Sequence, residues 1–416
     1  MSKTTYPKNA MEYRRKQFAS LKERLLEPRK FLQVVVGPRQ VGKTTLVSQV
    51  LGELTIPHTL ETADGVDPKD SNWLHLIWES ARATMMIRRS TEYLLVVDEV
   101  QKLENWSEAV KREWDADTLR GLNLKVVLLG SSRLLLKRGL TESLAGRYEL
   151  IRMPHWSYAE MRAAFNVTLD EYIYFGGYPG AAHLMHAEGR WRKYLRDALI
   201  AVAIEKDVLL TSHIYKPALL RQLFDLGCSY SAEILSLTKL MGQLQDAGNV
   251  TTLAGYLMLL AESNLLTALP KYAQDEARKR GSIPKFQVFN NALLTSCAGR
   301  SFVTDRTDTA AWGRWVESAV GAHLLSAAEE LNFKLYYWRE RAGGKAVSAR
   351  DLEVDFIIEH SGELMALEVK SGRRGMNAGL PCFEQRFKPK RSLLVGTGGV
   401  SVEDFLSCDP ESLLSW

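Results

Sequence analysis

The chain has little cysteine, and none of it is arranged as a cross-link or a zinc site. Its 416 residues hold four cysteines, Cys228, Cys297, Cys382 and Cys408, far apart and with no C-x-x-C pair or histidine cluster beside them. They read as free thiols of a reducing compartment. Long apolar runs are lacking too. The opening MSKTTYPKNAMEYRRKQ has no apolar core of a signal peptide, and the stretch around Tyr256 to Ala261 is too short to span a bilayer. The expectation is a cytoplasmic protein with no membrane partner. Nor is there a large excess of charge of one sign: the formal charge of +5, with a pI near 8.8, falls short of the footprint of a dedicated nucleic-acid module, so DNA is permitted as a partner and not demanded. Internal repeats and low-complexity tracts are absent. What is present, 46% apolar and 25% charged residues, is the globular average and excludes disordered, fibrous and membrane classes. The length favours two or three domains over a single core.

Residues 1–30 read as a basic lead-in helix with Met11, Phe18, Leu21 and Leu25 at helical spacing, stopping near Pro28. Short apolar, β-branched strands then follow at Phe31 to Val36, Tyr93 to Val97 and Lys125 to Leu129, with a helix at Lys43 to Leu51. That alternation predicts an α/β fold with a parallel sheet covered on both faces. From about Ser157 to Ala203 the pattern is helical, broken by a turn at Phe175 to Gly180, and reads as a helical lid. Helices near Ala218 to Leu226, Ala232 to Leu244 and Thr252 to Ala261, followed by a β-like Leu265 to Leu269, suggest a winged-helix module. Strands return at Lys334 to Arg339, Val354 to Glu359, Leu364 to Lys370 and Arg391 to Val395. The expected domains are 1–156, 157–204, 205–280 and 281–416.

The segment Gly37-Pro38-Arg39-Gln40-Val41-Gly42-Lys43-Thr44, with Thr45 after it, fits G-x-x-x-x-G-K-[ST]. It follows an apolar strand and opens a helix, as a phosphate-binding loop requires. Its glycines allow backbone N–H groups to wrap phosphates at a helix N-terminus. Lys43 is placed to reach the β- and γ-phosphates of ATP and Thr44 to hold Mg²⁺. The strand Tyr93 to Val97 ends in Asp98 and Glu99: Asp98 suits a metal-bound water, and Glu99 suits polarisation of the attacking water, which reads as hydrolysis. After the next strand, Ser131 is a sensor candidate, with a helix-capping serine as the bland alternative. Arg147, after a small-residue turn, suits an arginine finger supplied to a neighbouring subunit of a homo-oligomer, or else a structural arginine.

Near the C-terminus Asp355 heads one strand and Glu368-Val369-Lys370 ends the next. Period-2 geometry puts Glu368 and Lys370 on one face, and a hairpin can bring Asp355 beside them. Two carboxylates can then hold a divalent metal while Lys370 orients a water, with Glu317 as a further ligand, the D-x(n)-E-x-K pattern of phosphodiester hydrolysis. A mixed-charge strand pair is the other reading. Arg373, Arg374, Arg386, Lys388, Lys390 and Arg391 form a basic tract suited to phosphates or to solvent. The helix Thr252 to Leu260 has few side chains that read base edges, which favours interdomain packing, though Arg278, Lys279 and Arg280 can touch phosphates.

Taken together, GPRQVGKTTL, LLVVDEVQ, LLGSSRLLL, ESLAGRYEL, FGGYPGA, LEVDFII and ALEVKSG resemble a prokaryotic family of AAA-type ATP-binding proteins, from about Phe31 to Val395. One departure is Met153-Pro154-His155-Trp156-Ser157, where relatives carry Pro-Leu-Ser. The resemblance implies an AAA-like P-loop core, a winged-helix middle and a restriction-endonuclease-like (PD-(D/E)xK) C-terminal domain of poorly defined function. The leading expectation is Mg²⁺-dependent ATP hydrolysis to ADP that drives or regulates a DNA-binding or nuclease-like domain. The competing one is a nucleotide-switched scaffold whose nuclease-like fold binds without cutting.

Overall fold

Five short runs near the N-terminus pair side by side. The computed structural model describes residues 12–130, 143–209, 214–246, 248–275, 282–340, 352–372 and 378–415. The chain divides into two compact units, Met11–Pro154 and His155–Trp416. The first contains α1 (Gln17–Leu26), β1 (Leu32–Val36), α2 (Lys43–Leu51), β2 (His58–Thr62), α3 (Trp73–Ile87), β3 (Tyr93–Asp98), α4 (Trp106–Arg120), β4 (Leu124–Gly130) and β5 (Tyr148–Arg152). Its sheet runs β2-β3-β4-β1-β5, and all four pairings are parallel. β1 and β4 are buried along their whole length, and β3 is buried up to Asp98. Strands that bury both faces read as unbroken apolar runs, which is why these three are legible in the sequence.

The edge strands differ. In β2 half-buried residues alternate with exposed ones along His-Thr-Leu-Glu-Thr, and β5 is mostly half-buried, so neither has the apolar run of a central strand. β4 lies between β1 and β3, with Val36 beside Gly130 and Val97 beside Leu128. The loops after β1 and β3 therefore leave the same edge of the sheet. Trp78, Trp106 and Trp114 close a core over Val34, Leu95, Val97 and Leu128.

The second unit opens with α5 (Tyr158–Phe165) and α6 (Leu169–Phe175), each started by a reciprocal cap, Ser157 with Glu160 and Thr168 with Glu171. The expected break follows as a 3₁₀ turn at Pro179–Leu184. Then come α7 (Glu188–Tyr194), α8 (Pro217–Ser229), α9 (Leu237–Met241), α10 (Val250–Glu262), β6 (Leu266–Leu269), β7 (Lys285–Val288), α11 (Asn291–Cys297), α12 (Phe302–Thr307) and α13 (Thr309–Ala328). The last part holds β8 (Lys334–Glu340), β9 (Leu352–His360), β10 (Glu363–Lys370), α14 (Gly379–Phe387), β11 (Arg391–Gly396), α15 (Val402–Ser407) and α16 (Glu411–Leu414). β6 and β7 form an antiparallel pair. The four-stranded sheet has the order β11-β10-β9-β8, antiparallel from β8 to β10 and parallel between β10 and β11.

One helix is shorter than its sequence predicts. Of Ala232 to Leu244 only Leu237–Met241 is helical, because Ala232 takes a left-handed φ of 66° and the segment before Ser236 runs alongside β7. The Ala232 N–H donates to the Phe286 carbonyl, the Phe286 N–H donates to the Glu233 carbonyl, and Ile234 bridges Lys285. Tertiary pairing overrides local helix preference here.

Candidate functional site

The loop between β1 and α2 is shaped by backbone constraints that only certain residues meet. A Cβ on Gly37 would lie 2.1 Å from the Met153 carbonyl oxygen, since the Met153 N–H donates to the Val36 carbonyl across that point. Gln40 and Gly42 take left-handed φ values of 59° and 92°, turning the chain into α2, whose start has no side-chain cap. The first-turn N–H groups of an uncapped helix form an anion site. Pro38, Arg39 and Val41 fill the rest of the loop, and Thr45 follows Thr44 in the first turn of α2. Lys43 folds back over the loop, where its buried ammonium donates to the Gly37 carbonyl at 2.9 Å and the Pro38 carbonyl at 2.8 Å.

Thr44 and Asp98 come from opposite sides of β4 and meet at the sheet's edge. The Thr44 hydroxyl donates to Asp98 Oδ2 at 2.9 Å, and the Glu99 N–H donates to Asp98 Oδ1 at 2.8 Å. Glu99 sits in a left-handed conformation, φ 55°, which costs about 1 kcal/mol for a residue with a Cβ. Its carboxylate accepts from the Gln101 amide. Arg15, buried outside the loop, donates to the Pro154 carbonyl at 2.9 Å and reaches the Val41 carbonyl at 3.5 Å. Nothing in the local pattern around Arg15 announces this support. The glycine-shaped cradle, the lysine over it and a hydroxyl–carboxylate pair at its mouth together fit a nucleoside triphosphate with Mg²⁺.

Two predicted participants are not gathered there. Ser131 lies outside the described residues. Arg147 precedes β5, where its carbonyl accepts from the Leu32 N–H; it stands where β1 begins, whereas Gly37 follows its end. Its guanidinium is bidentate to Asp115 on α4, at 2.8 and 3.0 Å. The pair engages the guanidinium within its own unit, at the strand end remote from the loop, which is the structural role that the sequence left open beside an arginine finger supplied to a neighbouring subunit.

In the second unit, Asp355 and Glu368 of the D-x(n)-E-x-K pattern stand side by side. Pairing of Leu367 with Phe356 sets Glu368 next to Asp355, and the Val369 N–H donates to Asp355 Oδ2 at 2.7 Å. A β-bulge occurs where Tyr337 faces both Asp355 and Phe356, a feature that re-aims the bulged side chain. Lys370 ends β10. The unexpected member is Lys285 of β7, which is completely buried. Its ammonium contacts the Glu317 carboxylate from α13, Asp355 Oδ1 at 3.5 Å and Glu353 Oε1 at 3.7 Å, and donates to the Asp355 carbonyl at 3.3 Å. Burial alone would push this ammonium down, but Glu317, Asp355 and Glu353 outweigh it and raise its pKa. Glu317 is pushed up to about 8 by burial and by Asp355, with Lys285 pulling the other way.

These residues do not fit a divalent cation as they stand. A positive charge already sits among the carboxylates, and Glu317, Asp355 and Glu368 do not offer oxygens within 4.8 Å of one another as a set of three. Among the described residues, His75, Glu79 and Glu113 converge that closely, but Arg82 already bonds Glu79 and Glu113, and Arg112 also pairs with Glu113. Arg278, Lys279, Arg280, Arg373 and Arg374 lie outside the described residues. Arg386 pairs with Glu340 and Lys390 with Glu363, so part of the basic tract is matched by acids. Among the described residues, no helix is long and apolar enough to cross a membrane.

Residues 29–162 match the model of an AAA domain, 166–303 a domain of unknown function (DUF8612) and 312–404 another (DUF4143). An uncharacterized protein of Haemophilus influenzae is 22% identical over 367 residues, 82% of each chain. A Walker-type ATPase of Pyrococcus abyssi is similar at a TM-score of 0.44 and 14% identity, covering 71% of this chain and 98% of that one. AMPPCP-bound DnaA from Aquifex aeolicus is similar at 0.33 and 16%, covering 62% and 93%. The family match and the loop geometry support an AAA-type P-loop ATPase in the first unit.

Proposed function

We propose that the chain binds ATP with Mg²⁺ at the loop Gly37 to Thr45 and hydrolyses it to ADP and phosphate. The observation that carries this is the Thr44–Asp98 hydrogen bond, which joins the helix side of the loop to the acidic strand tip. Lys43 exchanges its two loop carbonyls for the β- and γ-phosphates, and the N–H groups of the loop and first helical turn bind the phosphate oxygens. Thr44 and Asp98 would hold the metal, whose positive charge offsets the charge on the phosphoryl oxygens. Glu99 orients the attacking water and takes its proton as the bond between the γ-phosphorus and the β–γ bridging oxygen breaks.

Three helices followed by β6 support a winged-helix reading of 205–280, the strand that pairs with β6 lying just past its expected end. The order α13-β8-β9-β10-α14-β11 supports a restriction-endonuclease-like reading of 281–416. With 1–156 as the ATPase core and 157–204 as lid, ATP turnover regulates a C-terminal unit that acts on DNA. A second reading, in which that unit binds a partner without cutting, is favoured by the lysine among its carboxylates. The test is Mg²⁺-dependent phosphate release by wild type and Glu99→Gln, each with and without single- and double-stranded DNA. Loss of turnover in the variant with ATP binding retained supports the assignment, and equal turnover in both removes it. Stimulation by DNA selects the first reading of the C-terminal unit, and indifference selects the second.

A further inference from the structure

We infer that the acidic centre of the second unit carries its own cation: the Lys285 ammonium takes the place of a divalent metal among Glu317, Glu353 and Asp355, so this centre is metal-independent as folded. The inference rests on the geometry of this cluster and is separate from the ATPase assignment. Two elements distant in sequence, α13 and β9, converge on the Lys285 nitrogen of β7, whose side chain has no exposed surface. A buried ammonium is retained only when paired and hydrogen-bonded. Here three carboxylates and the Asp355 carbonyl meet that need, and the Phe356 ring lies 5.0 Å from the nitrogen. A metal ion bound to the same oxygens would need them at about 2.0–2.6 Å. It would then stand against the ammonium, a like charge in a poorly screened interior. Lysine and metal therefore exclude each other.

The exclusion works in both directions. Removing the ammonium leaves Glu317, Glu353 and Asp355 unpaired around one buried point; their oxygens do not lie within 4.8 Å of one another as a set, so a hard divalent cation must draw them together to bind. Lys285→Met, which keeps the apolar stem, should convert the lysine-filled centre into a metal site.

The experiment uses the full chain without nucleotide, with Asp98→Asn as the common background to silence the P-loop metal position, and Mn²⁺ as the probe. Binding is followed by the electron paramagnetic resonance signal of free Mn²⁺ and by thermal melting. The parent should show no saturable Mn²⁺ site and no shift in melting. Lys285→Met should melt earlier in chelator and gain one saturable site, with Mn²⁺ raising its midpoint by about 5 °C at a hundredfold excess over Kd. Lys285→Met combined with Glu317→Gln removes the ammonium together with one of its carboxyl partners; it should recover stability in chelator and lose the Mn²⁺ response. Should Lys285→Met fail to fold in chelator, folding rescued by Mn²⁺, or by the added Glu317→Gln without metal, supports the inference. A saturable Mn²⁺ site in the parent that disappears on Glu317→Gln overturns it. So does a Lys285→Met chain that melts like the parent and ignores Mn²⁺, or one that neither Mn²⁺ nor Glu317→Gln rescues.

Discussion

Replacing Lys43 with methionine keeps the aliphatic stem and removes one buried charge, which separates the lysine's part in the fold from its part in binding. Without nucleotide the ammonium serves the Gly37 and Pro38 carbonyls. Its loss should lower the stability of the first unit by about 1–3 kcal/mol. With nucleotide the effect is larger. At a hundredfold excess of Mg-ATP over Kd the wild-type unit gains about 2.7 kcal/mol, a rise of roughly 8 °C for a unit of this size. The charge-assisted bonds from Lys43 to the phosphates contribute about 3 kcal/mol, and their loss weakens binding by about a hundredfold. At the same ATP concentration the variant is then close to half-saturated, and its shift falls to about 1 °C. Differential scanning calorimetry of the full chain, with and without Mg-ATP, resolves this. A Lys43→Met unit that rises with ATP as far as wild type would refute the assignment of this loop, whatever its turnover.

Two other outcomes follow from groups away from the loop. Arg147→Ala breaks a bidentate pair with Asp115, but both side chains are about one-third or more exposed, so the loss should be no more than about 1 kcal/mol. Phosphate release per chain, and its dependence on protein concentration, should match wild type; a collapse of turnover at unchanged melting temperature would return Arg147 to the nucleotide. His323 packs against Phe405, and burial lowers its pKa from 6.5 to about 4, with Asp409 pulling weakly upward. The unfolded chain takes up this proton near pH 6.5 and the folded chain only near pH 4, so stability from this group is complete above 6.5 and is lost as pH falls to 4. The depression corresponds to about 3 kcal/mol. Denaturant unfolding between pH 7 and 5 should show a shallower acid loss for His323→Phe than for wild type, and parallel curves would reject the assignment.

The loop was legible in the sequence because its determinants are local. β1 and β3 are covered on both faces and therefore apolar throughout, Gly42 is required by a left-handed turn, and Lys43 opens a helix at the residue its motif predicts. β5 was not legible, since its Tyr-Glu-Leu-Ile-Arg lies at the sheet's edge and is mostly half-buried. With β5 unrecognised, nothing local in the sequence determined which end of the sheet Arg147 occupies. The helix expected over Ala232 to Leu244 failed because pairing with β7 is a contact between segments some fifty residues apart, which no local periodicity records.

The same separation hid Lys285, and it divides the two acidic centres more sharply than their residue types do. Asp98 and Glu99 close a strand beside an exposed hydroxyl, where the Asp98 carboxylate accepts from the Thr44 hydroxyl and the Glu99 N–H, both uncharged donors. Asp355, Glu317 and Glu353 surround an ammonium contributed by a strand that precedes them all. Spacing could identify Glu368 as the neighbour of Asp355, because a hairpin and period-2 geometry are short-range rules. Whether an acidic cluster is open to a metal depends on what else folds into it. A lysine in Lys-Phe-Gln-Val reads as the solvated start of a strand until that strand is buried on every side. The carboxylate pattern therefore marks a place where a cation is needed, and only the tertiary structure identifies the cation as Lys285.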